Sequence, residues 1–490
     1  MTANRVPSFS QKPISRRRLI AGAGASMAIL ALPRTGFGQP SRPQAPETAD
    51  DGFRLLRARP GTAPLRGRDM RPTPIWGYEG TTPGPTLRIR QGEELRVRLI
   101  NELKQPTVVH WHGLRLPNAM DGVPHLTQMP IEPGASFDYR FIAPDAGTFW
   151  YHTHFLSSEQ LARGLYGVLV VDEQEPAEVD RDIVVVVDDW RLTDAGDIHP
   201  SFGNLHDAAM AGRLGQYITL NSEDTLDVPV RANERLRLRI INAANSRIFQ
   251  LRIAKHQARV MAVDGQPTAP QVAPNGVLRL APGNRVDLFL DAALEPGARA
   301  PILVDDLRGG ELEVGRLVYA GEPLRAAALP EPRPLPDNPL PAKLDLENAL
   351  KIDVPLDGGG MRMMMGRAMG GPGFSGQGVP EPQRIWALAG ISATGHDGPP
   401  LFNVERGRTV VIEFPNRGPI SHAMHVHGHH FRQFRQDATG FLPYWLDTVI
   451  VDGQRTERIA FVADNPGKWM LHCHMIEHMA AGMAAWFHVT

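Results

Sequence analysis

Ten of the 18 histidines fall in four short clusters, and the single cysteine sits inside one of them. The clusters are His110-Trp111-His112-Gly113, His152-Thr153-His154, His425-Val426-His427-Gly428 and His472-Cys473-His474, with His422 and His478 flanking the last two. On a strand, residues i and i+2 face one side, so each His-x-His pair presents two imidazoles in one direction. Eight neutral imidazoles without an adjacent carboxylate motif suit copper better than magnesium or calcium, which take oxygen ligands. Imidazole also suits zinc, so ligand type alone leaves the metal open; Cys473 decides it. Between His472 and His474 on an extended segment, its thiolate should point to the opposite face, where it could meet His422, His478 and Met483. Two His, one Cys and a weak axial Met form a blue-copper electron-transfer set. One tripeptide would then serve a mononuclear copper on one side and a copper cluster on the other.

The elements that must carry these residues repeat along the chain. Residues 86–101 read TLRIRQGEELRVRLIN, residues 227–242 read DVPVRANERLRLRIIN, and residues 401–416 read LFNVERGRTVVIEFPN. Each has an extended segment, a polar turn and an alternating strand ending in Asn101, Asn242 or Asn416. With 48 Gly and 44 Pro punctuating short strands, the expected fold is all-β: three β-sandwich domains near 50–175, 176–325 and 345–490, the last two joined by a Pro-rich link from Leu329 to Pro341. His110 follows Asn101, and His425 follows Asn416, at the same offset of nine residues. The blocks Phe141 to His152 and Phe461 to His472 also match in length. The middle copy has Leu251 at that offset and no His-x-His later, so it reads as a copper-free spacer.

Composition removes several function classes. Lys and Arg number 52 against 53 Asp and Glu, so nothing in the charge favours nucleic acid or an anionic membrane. One cysteine cannot form an intrachain disulfide, a Cys-pair zinc site or an iron–sulfur cluster. The first 38 residues carry Ser15-Arg16-Arg17-Arg18-Leu19-Ile20, an apolar run from Ala21 to Leu32, and small residues around Gly36 and Gly38 before Gln39. That order predicts a twin-arginine signal peptide, export by the twin-arginine translocase and a periplasmic location. The apolar run is too short to span a bilayer, and no other stretch is apolar enough, so no membrane span is expected in the mature protein.

The motifs HWHG, WYHTH, HAMHVHG and HCHMIEHMAAGM, in this order, make the chain resemble a three-domain bacterial multicopper oxidase of the laccase and cuprous-oxidase type, built from Greek-key cupredoxin sandwiches. The resemblance covers nearly the whole mature chain. It implies four coppers: type 1 on His422, Cys473, His478 and axial Met483; type 2 on His110 and His425; and a type 3 pair on His112, His152, His154, His427, His472 and His474. It also implies four one-electron oxidations coupled to reduction of dioxygen to water. Asp121, in Met120-Asp121-Gly122, resembles the family acid that protonates oxygen intermediates, with an Asp-Gly turn as the plainer account. Bacterial relatives often carry a Glu directly after the second type 1 histidine, whereas this chain has Met479 there and Glu477 just before it.

Met361, Met363, Met364, Met365 and Met369 crowd a glycine-flanked stretch that argues against an amphipathic helix. Soft thioethers bind Cu(I), and the stretch resembles the methionine-rich segments of periplasmic cuprous oxidases. The favoured expectation is a monomeric cuprous oxidase serving copper tolerance, with a flexible lid as the other account of the methionines. A laccase with phenolic reductants is the alternative function, and a non-enzymatic envelope scaffold of the same fold the remote one. Copper nitrite reductases have two cupredoxin domains and no type 3 set. His125, His199, His206, His256, His396 and His488 are isolated, and His429, His430, Met424 and Trp445 have no role legible in the sequence.

Overall fold

The computed structural model describes residues 46–341, 343–359, 384–437 and 439–490. The signal-peptide expectation and the methionines of 361–369 lie outside these residues. Within them, six larger sheets form three sandwiches, as the sequence patterning predicts, and the short strands Leu356–Gly358 and Trp386–Leu388 make a separate two-stranded sheet.

The first sandwich sets a sheet ordered Thr73–Tyr78, Arg54–Ala63, Glu94–Asn101, Ser136–Ile142 against one ordered Leu87–Arg90, Tyr166–Asp172, Gly147–His152, His110–His112. The second packs six strands around Arg235–Asn242 against five around Arg299–Asp305. In the third, a sheet ordered Leu350–Asp353, Thr409–Pro415, Thr456–Val462, Phe431–Phe434, Phe441–Leu446 faces one holding Met483–Val489, Gly467–Cys473, His422–Val426 and Thr448–Val451 as successive neighbours. No described helix is long and apolar enough to cross a membrane.

The repeated strand earns its place by alternation in the first copy, where Leu95, Val97 and Leu99 are buried and the residues between them are half-buried. The second copy departs from this. Every residue of Arg235–Asn242 is buried, arginines included, because its polar face meets the first sandwich at Thr148 and Glu173 and the Pro-rich link at Leu329 and Pro330 instead of water. Arg237 bonds Glu173 at 2.8 Å and Asp287 at 2.6 Å, and Arg239 donates to Thr148 Oγ1 at 2.8 Å. Buried guanidinium groups are tolerable only when paired in this way.

The asparagine closing each copy does the same work three times. The side-chain Oδ1 of Asn101, Asn242 and Asn416 accepts from the backbone N–H of Leu103, Ala244 and Gly418 at 3.0, 2.9 and 3.0 Å. Its Nδ2 donates to carbonyls on either side: Gln105 and Ile131, Arg247 and Leu280, Ile420 and Val451. An Asx turn therefore fixes how the chain leaves each strand, and in the outer copies the next segment carries a histidine pair.

Candidate metal centre

In the first sandwich, His110 pairs with His152 and His112 with Trp150 across adjacent antiparallel strands. In the third, His425 pairs with His472 and Met424 with Cys473. The two half-arrays meet face to face. His110 stacks on His427 with centroids 4.0 Å apart, and His112 on His425 at 3.8 Å. His154 stands edge-on to His427 and His472 at 5.2 Å, and His474 lies 4.9 Å from His112. All eight predicted rings are thus in one cluster, and all are buried. Gly113, after the first pair, has φ +85°, and a Cβ there would lie 2.3 Å from Arg285 Nη2. The turn admits only glycine.

The hydrogen bonds fix which ring nitrogen is free. A carbonyl only accepts, so the nitrogen facing it must carry the proton. His110 Nδ1–H donates to the Asp121 carbonyl at 2.7 Å, His152 Nδ1–H to Thr153 at 2.9 Å, His425 Nδ1–H to Asp447 at 2.9 Å and His472 Nδ1–H to Cys473 at 3.0 Å. His427 Nδ1–H donates to Asp121 Oδ2 at 2.9 Å. His112 is turned the other way, with Nε2–H donating to Asp447 Oδ1 at 3.0 Å. Burial, then the neighbouring imidazoles, hold His427, His152 and His472 well below the usual imidazole pKa, so these rings are neutral.

The remaining nitrogens of His110, His112, His152 and His425 are bare lone pairs in a dry interior. His110 Nε2, His112 Nδ1, His152 Nε2, His154 Nε2, His425 Nε2 and both nitrogens of His474 are buried with no hydrogen-bond partner. His427 Nε2 and His472 Nε2 face each other at 3.0 Å, each having its proton on the opposite nitrogen. Two acceptors aimed at one another require a cation beside them. The triads His110/His425/His427, His110/His112/His152 and His154/His427/His472 each place their donor atoms within 4.8 Å of one another. The residues fit metal ions, and a borderline-soft ion that accepts imidazole in preference to oxygen.

Two carboxylates border the cluster, although the sequence showed none in its motifs. Asp121 was singled out and is buried against His427 and His110 as described. Asp447 was not. Besides holding His112 and His425, it receives Arg285 Nη1 at 2.7 Å. Burial opposes its charge, but Arg285 and His112 hold its carboxyl well below the usual range. Arg285 and its neighbours come from the second sandwich. Asn284 Nδ2 donates to the Thr448 carbonyl at 3.0 Å, and Asp264 Oδ2 accepts from the Thr448 N–H at 3.3 Å. Burial, then the Asp447 charge, push Asp264 up to about 7. The middle copy has no His-x-His, yet it is no mere spacer: it supplies the cation that fixes Asp447. His430, unassigned from sequence, lies 3.8 Å from Asp447, and His429 donates to the His427 carbonyl at 3.0 Å.

On the other face of His472–His474, Cys473 Sγ lies 3.7 Å from His422 Nδ1 and 3.8 Å from His478 Nδ1, and the two nitrogens are 3.2 Å apart. The opposite-face expectation for Cys473 is met. Met483 is fully buried and shares the apolar cluster around Cys473. Burial pushes the Cys473 thiol up to about 12, so a thiolate here needs a cation beside it. Trp386 packs on both rings, 4.8 Å from His422 and 4.7 Å from His478. The helix Ile476–Ala480 carrying His478 is tied to the second sandwich through Glu477, which accepts from Ser246 Oγ at 2.6 Å, Asn245 Nδ2 at 3.0 Å and the Arg213 N–H at 3.1 Å. Glu477 thus faces away from the imidazole cluster.

Comparison with known proteins bears on the same residues. Three family models, each described as multicopper oxidase, match residues 63–176, 181–299 and 377–490. Multicopper oxidase MmcO of Mycobacterium tuberculosis is 30% identical, with 97% of each chain covered. Among solved structures, a multi-copper oxidase from Pseudomonas thermotolerans is 34% identical at a TM-score of 0.78, covering 91% of this chain and 100% of that one. Lac15, from a marine microbial metagenome, is 36% identical at a TM-score of 0.70, covering 89% and 99%.

Proposed function

The chain belongs to the multicopper oxidase family, and we propose that it draws single electrons from a reductant at a blue copper and reduces dioxygen to water at a three-copper cluster. Four ions would be held. The blue copper would be held by His422 and His478 through Nδ1, Cys473 through Sγ, and Met483. The type 2 ion falls to His110 and His425, and the type 3 pair to His112, His152, His154, His427, His472 and His474. Bound copper supplies one-electron storage and the oxygen-binding centre. The chain's own work is to orient neutral imidazoles through carbonyl acceptors, exclude water, and link both centres covalently through His472-Cys473-His474. The observation that carries this reading is the facing pair of lone pairs on His427 and His472.

For the reductant we favour Cu(I), in the periplasm and in the service of copper tolerance, with phenols as accessory substrates. The methionines at 361, 363, 364, 365 and 369 support this by their softness. The strands flanking the undescribed stretch, Leu356–Gly358 and Trp386–Leu388, pair with each other, and Trp386 packs on His422 and His478. Export would follow the twin-arginine route that residues 15–20 suggest.

The test is copper counting together with steady-state oxygen uptake on Cu(I) and on 2,6-dimethoxyphenol. Four ions per chain, a blue absorption band and the higher kcat/KM on Cu(I) are expected. Higher kcat/KM on the phenol would make the enzyme a laccase, and a copper-loaded but colourless protein without oxygen uptake would return it to the scaffold reading.

A further inference from the structure

The first sandwich carries, in register, a counterpart to each of the four residues His422, Cys473, His478 and Met483. Thr107 precedes His110 by three residues, as His422 precedes His425, and Thr153 stands where Cys473 does. The short helices Ser157–Gln160 and Ile476–Ala480 follow, and each run closes on a glycine, Gly164 at φ +107° and Gly482 at φ +108°. Thr153 to Gly164 spans 11 residues where Cys473 to Gly482 spans 9, so the helical positions are counted back from the glycine. Gln160 then answers to His478, and Leu165, just past the glycine, to Met483. Strand pairing agrees: His152 faces Tyr166 and His472 faces Ala484, one residue beyond Leu165 and Met483.

The geometry carries over with the register. In the third sandwich, Cys473 Sγ, His422 Nδ1 and His478 Nδ1 form a triangle with sides of 3.7, 3.2 and 3.8 Å. In the first, Thr153 Oγ1, Thr107 Oγ1 and Gln160 Oε1 form one with sides of 3.4, 2.9 and 2.7 Å. Leu165 is fully buried, like Met483. The chemistry differs. A thiol and two imidazoles make a donor set that a cation would join, whereas the first triangle is closed by its own hydrogen bonds. Both threonine hydroxyls donate to Gln160 Oε1, and Gln160 Nε2 donates to the Pro106 carbonyl at 2.8 Å and to Gln105 Oε1 at 3.3 Å. The amide thus uses both lone pairs and both protons. Thr107, Thr153 and Gln160 are fully buried, and a satisfied polar network in such surroundings is rigid.

We infer that these four residues are a metal-free counterpart of the blue-copper site, and that Gln160, through Thr153, is a positioning residue for the type 3 ligands His152 and His154. The inference rests on the copper assignment above. The step from anchor to ligand is the same in both sandwiches. The Thr153 carbonyl accepts from His152 Nδ1–H at 2.9 Å, and the Cys473 carbonyl from His472 Nδ1–H at 3.0 Å. Thr153 Oγ1 also accepts from the Phe155 N–H at 3.3 Å, so the backbone is tied on the far side of His154 as well. In the third sandwich the middle residue of the tripeptide would be tied down by copper; in the first, Gln160 ties it down without any metal. His152 and His154 are therefore set before copper arrives, and the type 3 pair is assembled on a half-site that already has its shape.

The test uses the full chain, stripped of copper and refilled with Cu(I) against a competing chelator. Thr153→Val keeps the side chain's shape and deletes its hydroxyl; Thr153→Ser keeps the hydroxyl. Thr153→Val should hold the type 3 pair about 10–100-fold more weakly, with the blue band unshifted after reoxidation, and Thr153→Ser should restore the affinity. The loss is read as copper missing from the count while the blue and type 2 electron paramagnetic resonance signals remain. Thr107→Val removes the other hydroxyl from Gln160 and is read in the same way where Thr153→Val does not fold. Unchanged type 3 affinity in the folded valine variant, or a Thr153→Ser that restores nothing, overturns the positioning role. An unaltered protein whose full copper load includes no spin-coupled pair overturns instead the assignment on which that role rests.

Discussion

Cys473 is buried between two histidines that turn the other way, so its loss should separate the two centres functionally. Cys473→Ser is expected to abolish the blue band and oxygen uptake while the type 2 electron paramagnetic resonance signal survives, since none of the eight clustered rings bonds the thiol. Asp121 touches His427 through its side chain and His110 through its carbonyl. In Asp121→Asn the amide oxygen can still accept from His427, so copper content should hold, whereas kcat falls roughly 10²-fold or more if the carboxyl also passes protons to oxygen. Full kcat with full copper would leave Asp121 a positioning residue only. Arg285→Leu strands the buried Asp447 carboxylate and should destabilise the protein by about 3–5 kcal/mol. It should also alter the type 2 signal without moving the blue band, because Asp447 orients His112 and His425 and does not touch His422 or His478. The histidine cluster was legible in the sequence because two side chains on one face of a strand leave a local mark, two residues apart in duplicated register. Asp447, Arg285 and Asp264 were not, because each acts across a domain boundary and none sits in a pattern that its own segment requires.

Among the elements, the three repeated strands show how one pattern acquires different duties. The period-two alternation of Glu94–Asn101 gave its core face correctly, but the same pattern in Arg235–Asn242 describes a strand buried on both faces. Sequence periodicity registers which residues are apolar; it does not register that a neighbouring sandwich and the Pro-rich link will cover the arginines. The closing asparagines were visible as an end mark, and their function as Asx turns appears only with the carbonyls they reach. Asn416→Ala leaves the Ile420 and Val451 carbonyls without that donor and the Gly418 N–H without its acceptor. A destabilisation of about 1–3 kcal/mol is expected, read as a lower thermal unfolding midpoint. Since this turn leads into the strand His422–Val426, the blue band of the folded variant should broaden as well.

At the scale of the whole molecule, the first and third sandwiches meet through eight clustered imidazoles and a few hydrogen bonds, His427 to Asp121 and His112 to Asp447 among them, and bound cations would add to these joints. Metal that binds only the folded chain stabilises it by mass action. Removing copper with a chelator should therefore lower the unfolding midpoint by several degrees, and restoring copper should return it; an unchanged midpoint would mean that protein contacts alone hold the interface. The three-sandwich order was legible in the repeat, whereas the bond from His478 Nε2–H to the Met210 carbonyl, just past the short helix Leu205–Ala209 of the second sandwich, was not, because a short helix of ordinary composition gives no sign of packing on another domain. The joint between Asp121 and His427 spans 306 residues of sequence. At a synthesis rate of about 5–20 residues per second, the first histidine pairs wait roughly 15–60 s on the ribosome for the partners that complete them. During that interval a nascent chain offers any passing ion only half of its ligands. The complete donor set therefore exists only once both outer sandwiches are made and joined.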